Sequence, residues 1–222
     1  MAERRYGQYC PVARALDVLG DRWTLLLVRE LLAGPQRYSD LLRHLPGMWS
    51  NLLARRLRAL EAAGLVTRRE LPPPASRLVY ELTERGRELE PVIYEVSRFG
   101  LDLLDDAGDD LVPLHLLPLG LKGMLRAEAL PDGPLVIAMA LDEGAWTLRV
   151  TPAPATGHPL TRITVTPEAA PDADVTVRGS AMALLARRRG AGEARLPLPV
   201  FDGSAAEVAT VEALFSPAPA SA

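Results

Sequence analysis

Residues 38–71 have the sequence YSDLLRHLPGMWSNLLARRLRALEAAGLVTRREL, and this stretch decides the fold of the N-terminal part of the chain. It predicts a short helix that ends at Pro46-Gly47 and then a longer helix over residues 51–63, which Ser50 caps. Two helices joined by a short turn form a helix-turn-helix.

The flanking sequence extends this motif on both sides. Residues 11–19 and, after an Asp21 cap, residues 22–33 are predicted to be helical. Residues 65–71 and 78–82 are predicted to be strands joined by a proline-rich turn. Helices followed by a hairpin in this order predict a winged helix.

The longer helix of residues 51–63 has two distinct faces. Its leucines recur at the spacing that packs one stripe of a helix on a core. Its other face carries amide and guanidinium groups, which pair with adenine and guanine edges in the major groove of DNA. The predicted DNA-binding residues on this helix are Ser50, Asn51, Arg55, Arg56 and Arg58.

The charge distribution supports the same interpretation. Residues 1–80 carry 13 arginines and 7 acidic residues, a net charge of +6, although the whole chain has −3. The hairpin adds Arg68, Arg69 and Arg77 as predicted DNA contacts. A solvated amphipathic face is the commoner reason for arginines at helical spacing, but their joint placement favours double-stranded DNA as the partner.

Several motifs resemble the HxlR-type winged-helix transcriptional regulators over about residues 6–104. The motifs are Cys10-Pro11, GDRW at 20–23, LxxRLxxLE at 53–61 and LTxxG at 82–86. Three residues depart from the family pattern: Trp49 replaces a small aliphatic residue, Tyr38 a phenylalanine and Phe99 a tryptophan. The resemblance implies a transcriptional regulator that binds an inverted repeat as a homodimer.

Residues 84–105 independently predict a dimer. Their apolar side chains form one stripe at three- and four-residue spacing, and Gly100 would allow close approach of a partner helix. The alternative is packing within one chain. We favour a long C-terminal dimerisation helix, because a winged helix has little core left to receive this stripe.

Four predicted segments divide the chain: a DNA-binding and dimerisation domain at 1–105, an acidic linker at 106–111, a second domain at 112–215 and a disordered tail at 216–222. The second domain has strands first and helices later, which makes the whole protein α+β. Its pattern resembles the sterol carrier protein type-two family, which implies an apolar tunnel for a lipid-like ligand. The candidate pocket residues are Leu114, Leu116, Leu117, Leu119, Met139 and Trp146.

An ordinary packed core is the alternative for the second domain, because such residues fill interiors more often than they line cavities.

Cys10, the single cysteine, also has two interpretations. Relatives of HxlR type include thiol-based sensors, which makes it a candidate redox residue, whereas a lone cysteine is more often a small buried hydrophobe.

The composition excludes several classes of protein. One cysteine and three scattered histidines provide no zinc-ligand spacing, and no catalytic or phosphate-binding motif is present, so neither an enzyme nor a cofactor is expected. No signal peptide or membrane span is expected, which predicts a cytoplasmic location. We expect a ligand-responsive regulator; the alternative is a lipid carrier or accessory protein whose winged helix contacts other proteins.

Overall fold

The computed structural model describes residues 5–72, 77–104, 112–152, 157–190 and 197–217, and the chain divides into two compact units between Ile93 and Tyr94. The predicted linker at 106–111 lies outside the described residues. In the predicted tail, Ser216 donates a hydrogen bond to the carbonyl of Glu212 at 2.7 Å, and residues 218–222 are outside the description.

The first unit is a helix-turn-helix followed by a hairpin. The helices are α1 (Pro11–Leu19), α2 (Thr24–Leu32), α3 (Tyr38–His44), α4 (Ser50–Ala62) and α5 (Glu84–Arg87), and the antiparallel strands are β1 (Val66–Glu70) and β2 (Leu78–Leu82). A further helix, α6 (Glu90–Leu101), contains the division between the units.

The turn between α3 and α4 depends on Gly47. Its φ is +87°, a conformation that a side chain disfavours. A Cβ at this position would also approach the ring of Trp23 at 3.7 Å. The turn therefore places α4 on a core that contains buried leucines of α2, α3 and α4, among them Leu27, Leu41 and Leu57.

Two predicted helix caps are wrong. The residue before α2 is Trp23 instead of Asp21, and the residue before α4 is Trp49 instead of Ser50, which is itself helical. Neither tryptophan makes a capping hydrogen bond with its side chain. The Asp21 carboxylate instead pairs with Arg56, and the Ser50 hydroxyl lies 2.9 Å from the Tyr38 hydroxyl, so both side chains have partners elsewhere in the fold.

The single helix predicted over residues 84–105 is also wrong. Thr83 caps α5: its hydroxyl accepts from the Gly86 N–H at 3.0 Å and donates to the Gly64 carbonyl at 2.7 Å. A Cβ on Gly86 would collide with the Leu65 carbonyl. Glycine at this position therefore allows α5 to lie in close contact with the start of the hairpin. The chain turns before α6, which ends at Leu101.

The second unit is α+β, as expected, and is built on one five-stranded sheet. Its strands are β3 (Leu135–Leu141), β4 (Gly144–Val150), β5 (Ile163–Pro167), β6 (Val175–Gly179) and β7 (Val200–Gly203), in the order β5-β4-β3-β6-β7. β3 and β6 are parallel and the other neighbours are antiparallel. Its helices are α7 (Leu117–Met124), α8 (Ala181–Arg189) and α9 (Ala205–Leu214), and three short 3-10 turns occupy Leu114–Leu116, Ala127–Ala129 and Pro159–Arg162.

The core of this unit lies between the sheet and its helices. Alternate strand residues such as Ile137, Leu148 and Val175 are buried, together with Leu184 from α8 and Phe215 after α9. Among the described residues, no helix is long and apolar enough to span a membrane.

Candidate nucleic-acid interface

Helix α4 presents the two faces predicted for it. Leu53, Leu57 and Leu60 are almost completely buried in the core of the first unit. The opposite side is exposed to solvent and carries Asn51, Arg55 and Arg58. The buried stripe fixes the rotation of the helix, so these three polar side chains form one exposed surface, which we call the α4 polar face.

The N-terminus of α4 is held from the side by Tyr38 on α3. The Tyr38 hydroxyl donates to the Ser50 carbonyl at 2.5 Å and lies 2.9 Å from the Ser50 hydroxyl. Because the phenol has a single proton, the Ser50 hydroxyl is left to donate back to it. The serine predicted to contact DNA thus has a hydrogen-bond partner within the protein.

Arg56 does not belong to the α4 polar face. Its guanidinium forms an ion pair with Asp21 in the segment before α2, and its side chain is mostly buried. Burial lowers the pKa of Arg56. At 100° per residue Arg56 points away from the direction shared by Arg55 and Arg58, and its contact with DNA stays a prediction that this position does not favour.

Two arginines of the wing are paired with carboxylates. Arg68 makes a two-point contact with Glu61 of α4, with Nε–Oε1 and Nη2–Oε2 distances of 2.5 and 2.8 Å. Arg69 donates to Glu81 on the neighbouring strand at 2.9 Å. The pKa of each arginine is raised, chiefly by the hydrogen bond to its carboxylate. Both guanidinium groups stay about half exposed at the surface.

These contacts attach the wing to α4. The Arg68–Glu61 pair joins β1 to the last turn of α4, and the Arg68 guanidinium also lies 5.8 Å from the centre of the Tyr80 ring. Arg77 is exposed just before β2, and the hairpin tip at 73–76 is outside the described residues. The first unit therefore presents the α4 polar face together with a basic hairpin fixed beside it.

Comparison with known proteins gives the family. Residues 18–107 match the family described as HxlR-like helix-turn-helix. An uncharacterised HTH-type transcriptional regulator of Synechocystis, sll1512, is 39% identical over 99 residues, which are 45% of this chain and 73% of that protein. The chain belongs to the HxlR-like family.

Further HxlR-like relatives come from Bacillus subtilis. The uncharacterised HTH-type transcriptional regulator YvaP is 36% identical over 44% of this chain and 92% of its own length. The HTH-type transcriptional regulator YodB is 34% identical over 45% of this chain and 89% of its own length. The family match covers residues 18–107, which include α2 to α6 and the hairpin, and it ends before the five-stranded sheet of the second unit.

The structure also shows exposed apolar residues that the sequence analysis did not single out as functional. Trp49 is 80% exposed at the start of α4. On and before α1, exposed apolar side chains lie at three- and four-residue spacing, namely Tyr9, Val12 and Leu16. The periodic pattern of α1 was a signal for this surface, because its apolar residues form a stripe that the small core of the first unit does not cover.

Cys10 immediately precedes α1 as its N-cap residue. It is partly exposed, and its side chain makes no capping hydrogen bond. The residue is therefore only partly buried, and the interpretation of Cys10 as a small buried hydrophobe is met in part. Its role as a redox residue stays a prediction.

The second unit contains an apolar cavity of about 360 Å³. It is lined by Ser97, Gly100, Leu101, Leu104, Gly120, Gly123, Met124 and Leu185, from α6, α7 and α8 and the residues that follow α6. None of the six predicted pocket residues is among these. Met139 is completely buried in the core of the second unit, and Trp146, its partner on the neighbouring strand, packs against that core.

Two arginines are anchored next to this cavity. Arg188 donates through Nε to the carbonyl of Met124 at 2.9 Å, and Arg189 donates to the carbonyl of Leu104. Arg188 is largely buried, and burial lowers its pKa.

Proposed function

We propose that this protein is a sequence-specific DNA-binding transcriptional regulator that uses α4 as its recognition helix. One observation carries the proposal: the exposed Asn51, Arg55 and Arg58 lie opposite a leucine stripe that fixes the helix. A helix fits the major groove, and these side-chain types pair bidentately with base edges. Membership of the HxlR-like family supports the same function.

The arginines of the first unit divide into distinct roles. Arg55 and Arg58 read bases, whereas Arg77 on the wing contacts a phosphate. Arg68 and Arg69 contribute positive potential that Glu61 and Glu81 partly neutralise. Base contacts set specificity and phosphate contacts set affinity for any sequence, so variants of the two groups separate these effects.

Selection of DNA duplexes from a random library, followed by gel-shift titration, tests this function. Arg55→Ala and Arg58→Ala should each weaken binding to the selected operator by about 1–3 kcal/mol and relax the selected sequence. Arg77→Ala should weaken binding to every duplex and reduce the salt dependence of the affinity. Unchanged operator affinity in the double variant of Arg55 and Arg58 contradicts the proposal.

The regulator binds DNA as a homodimer in this proposal. Exposed apolar side chains on and after α6 support a dimer through residues 84–105, and those of α1 add a second apolar surface. A two-fold dimer places its recognition helices about 34 Å apart and therefore binds an inverted repeat with half-sites one helical turn apart.

The second unit modulates DNA binding by holding an apolar ligand, in keeping with its resemblance to the sterol carrier protein type-two family. The support is the cavity beside Gly120 and Met124 and its neighbouring arginines. The cavity volume falls in the range of about 300–1,000 Å³ that is usual for small-molecule sites. A ligand changes regulation only if it binds the DNA-competent and DNA-incompetent states unequally.

Filling the cavity tests the ligand proposal. A Cβ on Gly120 would meet nothing within 4 Å, so Gly120→Leu should occupy the cavity without disturbing the fold. Titration with a fluorescent medium-chain fatty acid should saturate on the parent and fail on this variant. Gly133→Leu is the matched control, since Gly133 also has open space around its Cβ position but does not line the cavity.

The outcomes separate the two functions considered for this chain. Saturable binding that changes operator affinity supports a ligand-responsive regulator. Ligand binding by a protein that selects no DNA sequence favours a lipid carrier whose winged helix contacts other proteins. Equal binding by Gly120→Leu and the parent contradicts the cavity as the ligand site.

A further inference from the structure

Trp49 is a large apolar side chain that the fold leaves in solvent. It is 80% exposed, whereas Trp23 packs against the core of the first unit and Trp146 against that of the second. An indole buries about 150–250 Å² when it is covered. The exposed indole of Trp49 therefore does not contribute the favourable free energy that burial of this apolar area would give. A covering partner would recover this free energy.

Trp49 also does little to hold α4 together. Its backbone is extended, with φ −77° and ψ 145°, and its carbonyl accepts the first hydrogen bonds of the helix from Leu52 and Leu53 at 2.9 and 3.0 Å. Any residue provides that carbonyl in the same way. Its side chain makes no capping hydrogen bond, so the indole itself is available for other contacts.

The residues on both sides of Trp49 are fixed. Met48 is buried in the core, and Ser50 is held by the Tyr38 hydroxyl. The Cα–Cβ direction of Trp49 is therefore set by its neighbours. A bulky side chain on a fixed backbone loses little entropy on binding, which favours a defined contact over a diffuse one.

The place of Trp49 in the fold indicates what it contacts. In a helix-turn-helix, the N-terminal residues of the second helix reach the base edges in the major groove. Asn51 and Arg55 provide hydrogen bonds there, but an indole offers mainly apolar surface. Thymine is the base that presents an apolar group in the major groove, its C5 methyl.

We propose that Trp49 packs on a thymine methyl group in each half-site and is a specificity-determining residue of this regulator. The inference rests on the proposed function, because it requires α4 to enter the major groove. It adds an apolar contact to the hydrogen-bond readout by the α4 polar face. Since the indole is uncharged, this contact releases no counterions and leaves the salt dependence of binding unchanged.

Thymine-by-thymine replacement with deoxyuridine tests the contact, because it removes only the methyl group. The probe is the operator selected by the parent from a random duplex library. At the contacted position in each half-site, the parent should lose about fourfold in affinity, the value of one buried methyl-sized group. Trp49→Ala should lose about tenfold on the unmodified operator and should show no further loss at those positions.

Two further variants complete the test. Trp49→Phe should keep part of the affinity and of the sensitivity to deoxyuridine, because it keeps an apolar ring. Leu198→Ala is the matched control, since Leu198 is 79% exposed in the second unit, and its operator affinity should equal that of the parent.

The results distinguish this inference from the function on which it rests. If Trp49→Ala binds the operator as tightly as the parent, or keeps the same deoxyuridine profile, the role of Trp49 is overturned while the regulator function stands. If Trp49→Ala loses the same factor of affinity on every duplex, including duplexes without the operator sequence, the contact is not with a thymine and the inference is overturned. If the parent selects no sequence, both are overturned.

Discussion

Arg55 and Arg56 are neighbours in the chain but have different environments. Arg55 is exposed on the α4 polar face, whereas Arg56 lies mostly buried against Asp21. A step of 100° around the helix is enough to move a guanidinium from the exposed face to a contact within the protein. Side-chain type alone therefore does not determine which arginines can reach DNA.

We predict that Arg56→Ala affects stability more than DNA binding. Its loss removes an ion pair and the packing of a long aliphatic stem, and should lower the free energy of unfolding by about 1 kcal/mol. Urea unfolding measures this change, and gel shifts at matched folded concentration should show operator affinity within about threefold of the parent.

Arg55→Ala and Arg58→Ala are the controls and should show the reverse pattern. Both side chains are exposed, so their loss should leave the unfolding midpoint almost unchanged while operator binding weakens. A tenfold loss of operator affinity in Arg56→Ala with unchanged stability would contradict this prediction and show that Arg56 contacts DNA.

At the scale of elements, the position of the wing depends on the contact between β1 and α4. The two-point pair of Arg68 with Glu61 spans the end of α4 and the hairpin. The same pair keeps Arg68 from using its full charge on a phosphate. We expect the contact to define the position of the wing and to lower the affinity for DNA.

We predict that Glu61→Gln raises the affinity for any DNA duplex by about twofold to fivefold at low salt, because Arg68 becomes available to a phosphate. The slope of affinity against salt should become steeper. Glu70→Gln makes the same charge change on β1, the strand that carries Arg68, without touching the pair of Arg68 and Glu61, and should have a smaller effect. Equal effects of the two variants would attribute the change to net charge alone.

The pair of Arg69 and Glu81 predicts a pH dependence of stability. The hydrogen bond from Arg69 lowers the pKa of Glu81, so the pair stabilises the folded state above the unfolded pKa of glutamate, about 4.3. This contribution is lost as pH falls through the lower folded pKa. Because the pair is at the surface, it amounts to at most about 1 kcal/mol.

Urea unfolding of Glu81→Gln and the parent between pH 7 and pH 3 measures this term. The parent should be the more stable at pH 7, and the difference should shrink below about pH 4 as the carboxylate is protonated. A difference that grows on acidification would mean that Glu81 is not stabilised as a carboxylate.

At the scale of the whole molecule, the exposed apolar side chains on and after α6 indicate self-association. Val96, Phe99 and Leu103 are all exposed, and Phe99 is 71% exposed. Exposed apolar residues grouped on one segment mark an interaction surface more often than scattered ones do. A second copy of the chain is the partner that an inverted repeat requires.

We predict that the parent is a dimer of the 24.0 kDa chain and that Phe99→Glu makes it a monomer, because a charge then enters the apolar contact. Light scattering measures the mass. The monomer should retain weak binding to a half-site and lose the tight binding to the inverted repeat. A monomeric parent, or a Phe99→Glu variant that stays dimeric, contradicts this interface.

Much of the first unit could be predicted from the sequence by itself. The periodic leucines of α4, the Pro46-Gly47 turn and the strand patterns of the hairpin determine the helix-turn-helix and wing, because short-range spacing decides these elements. The same spacing placed Asn51, Arg55 and Arg58 on one exposed face. The order of strands and helices likewise predicted the α+β character of the second unit.

Only the tertiary structure decided which polar groups find partners within the protein and which apolar groups remain exposed. It paired Arg56 with Asp21, ended α6 at Leu101 and left Trp49 in solvent. It also placed the apolar cavity around Gly120 instead of along the predicted residues of the second domain. Each of these outcomes depends on residues far apart in the chain, and local propensity and periodicity carry no information about which of them meet.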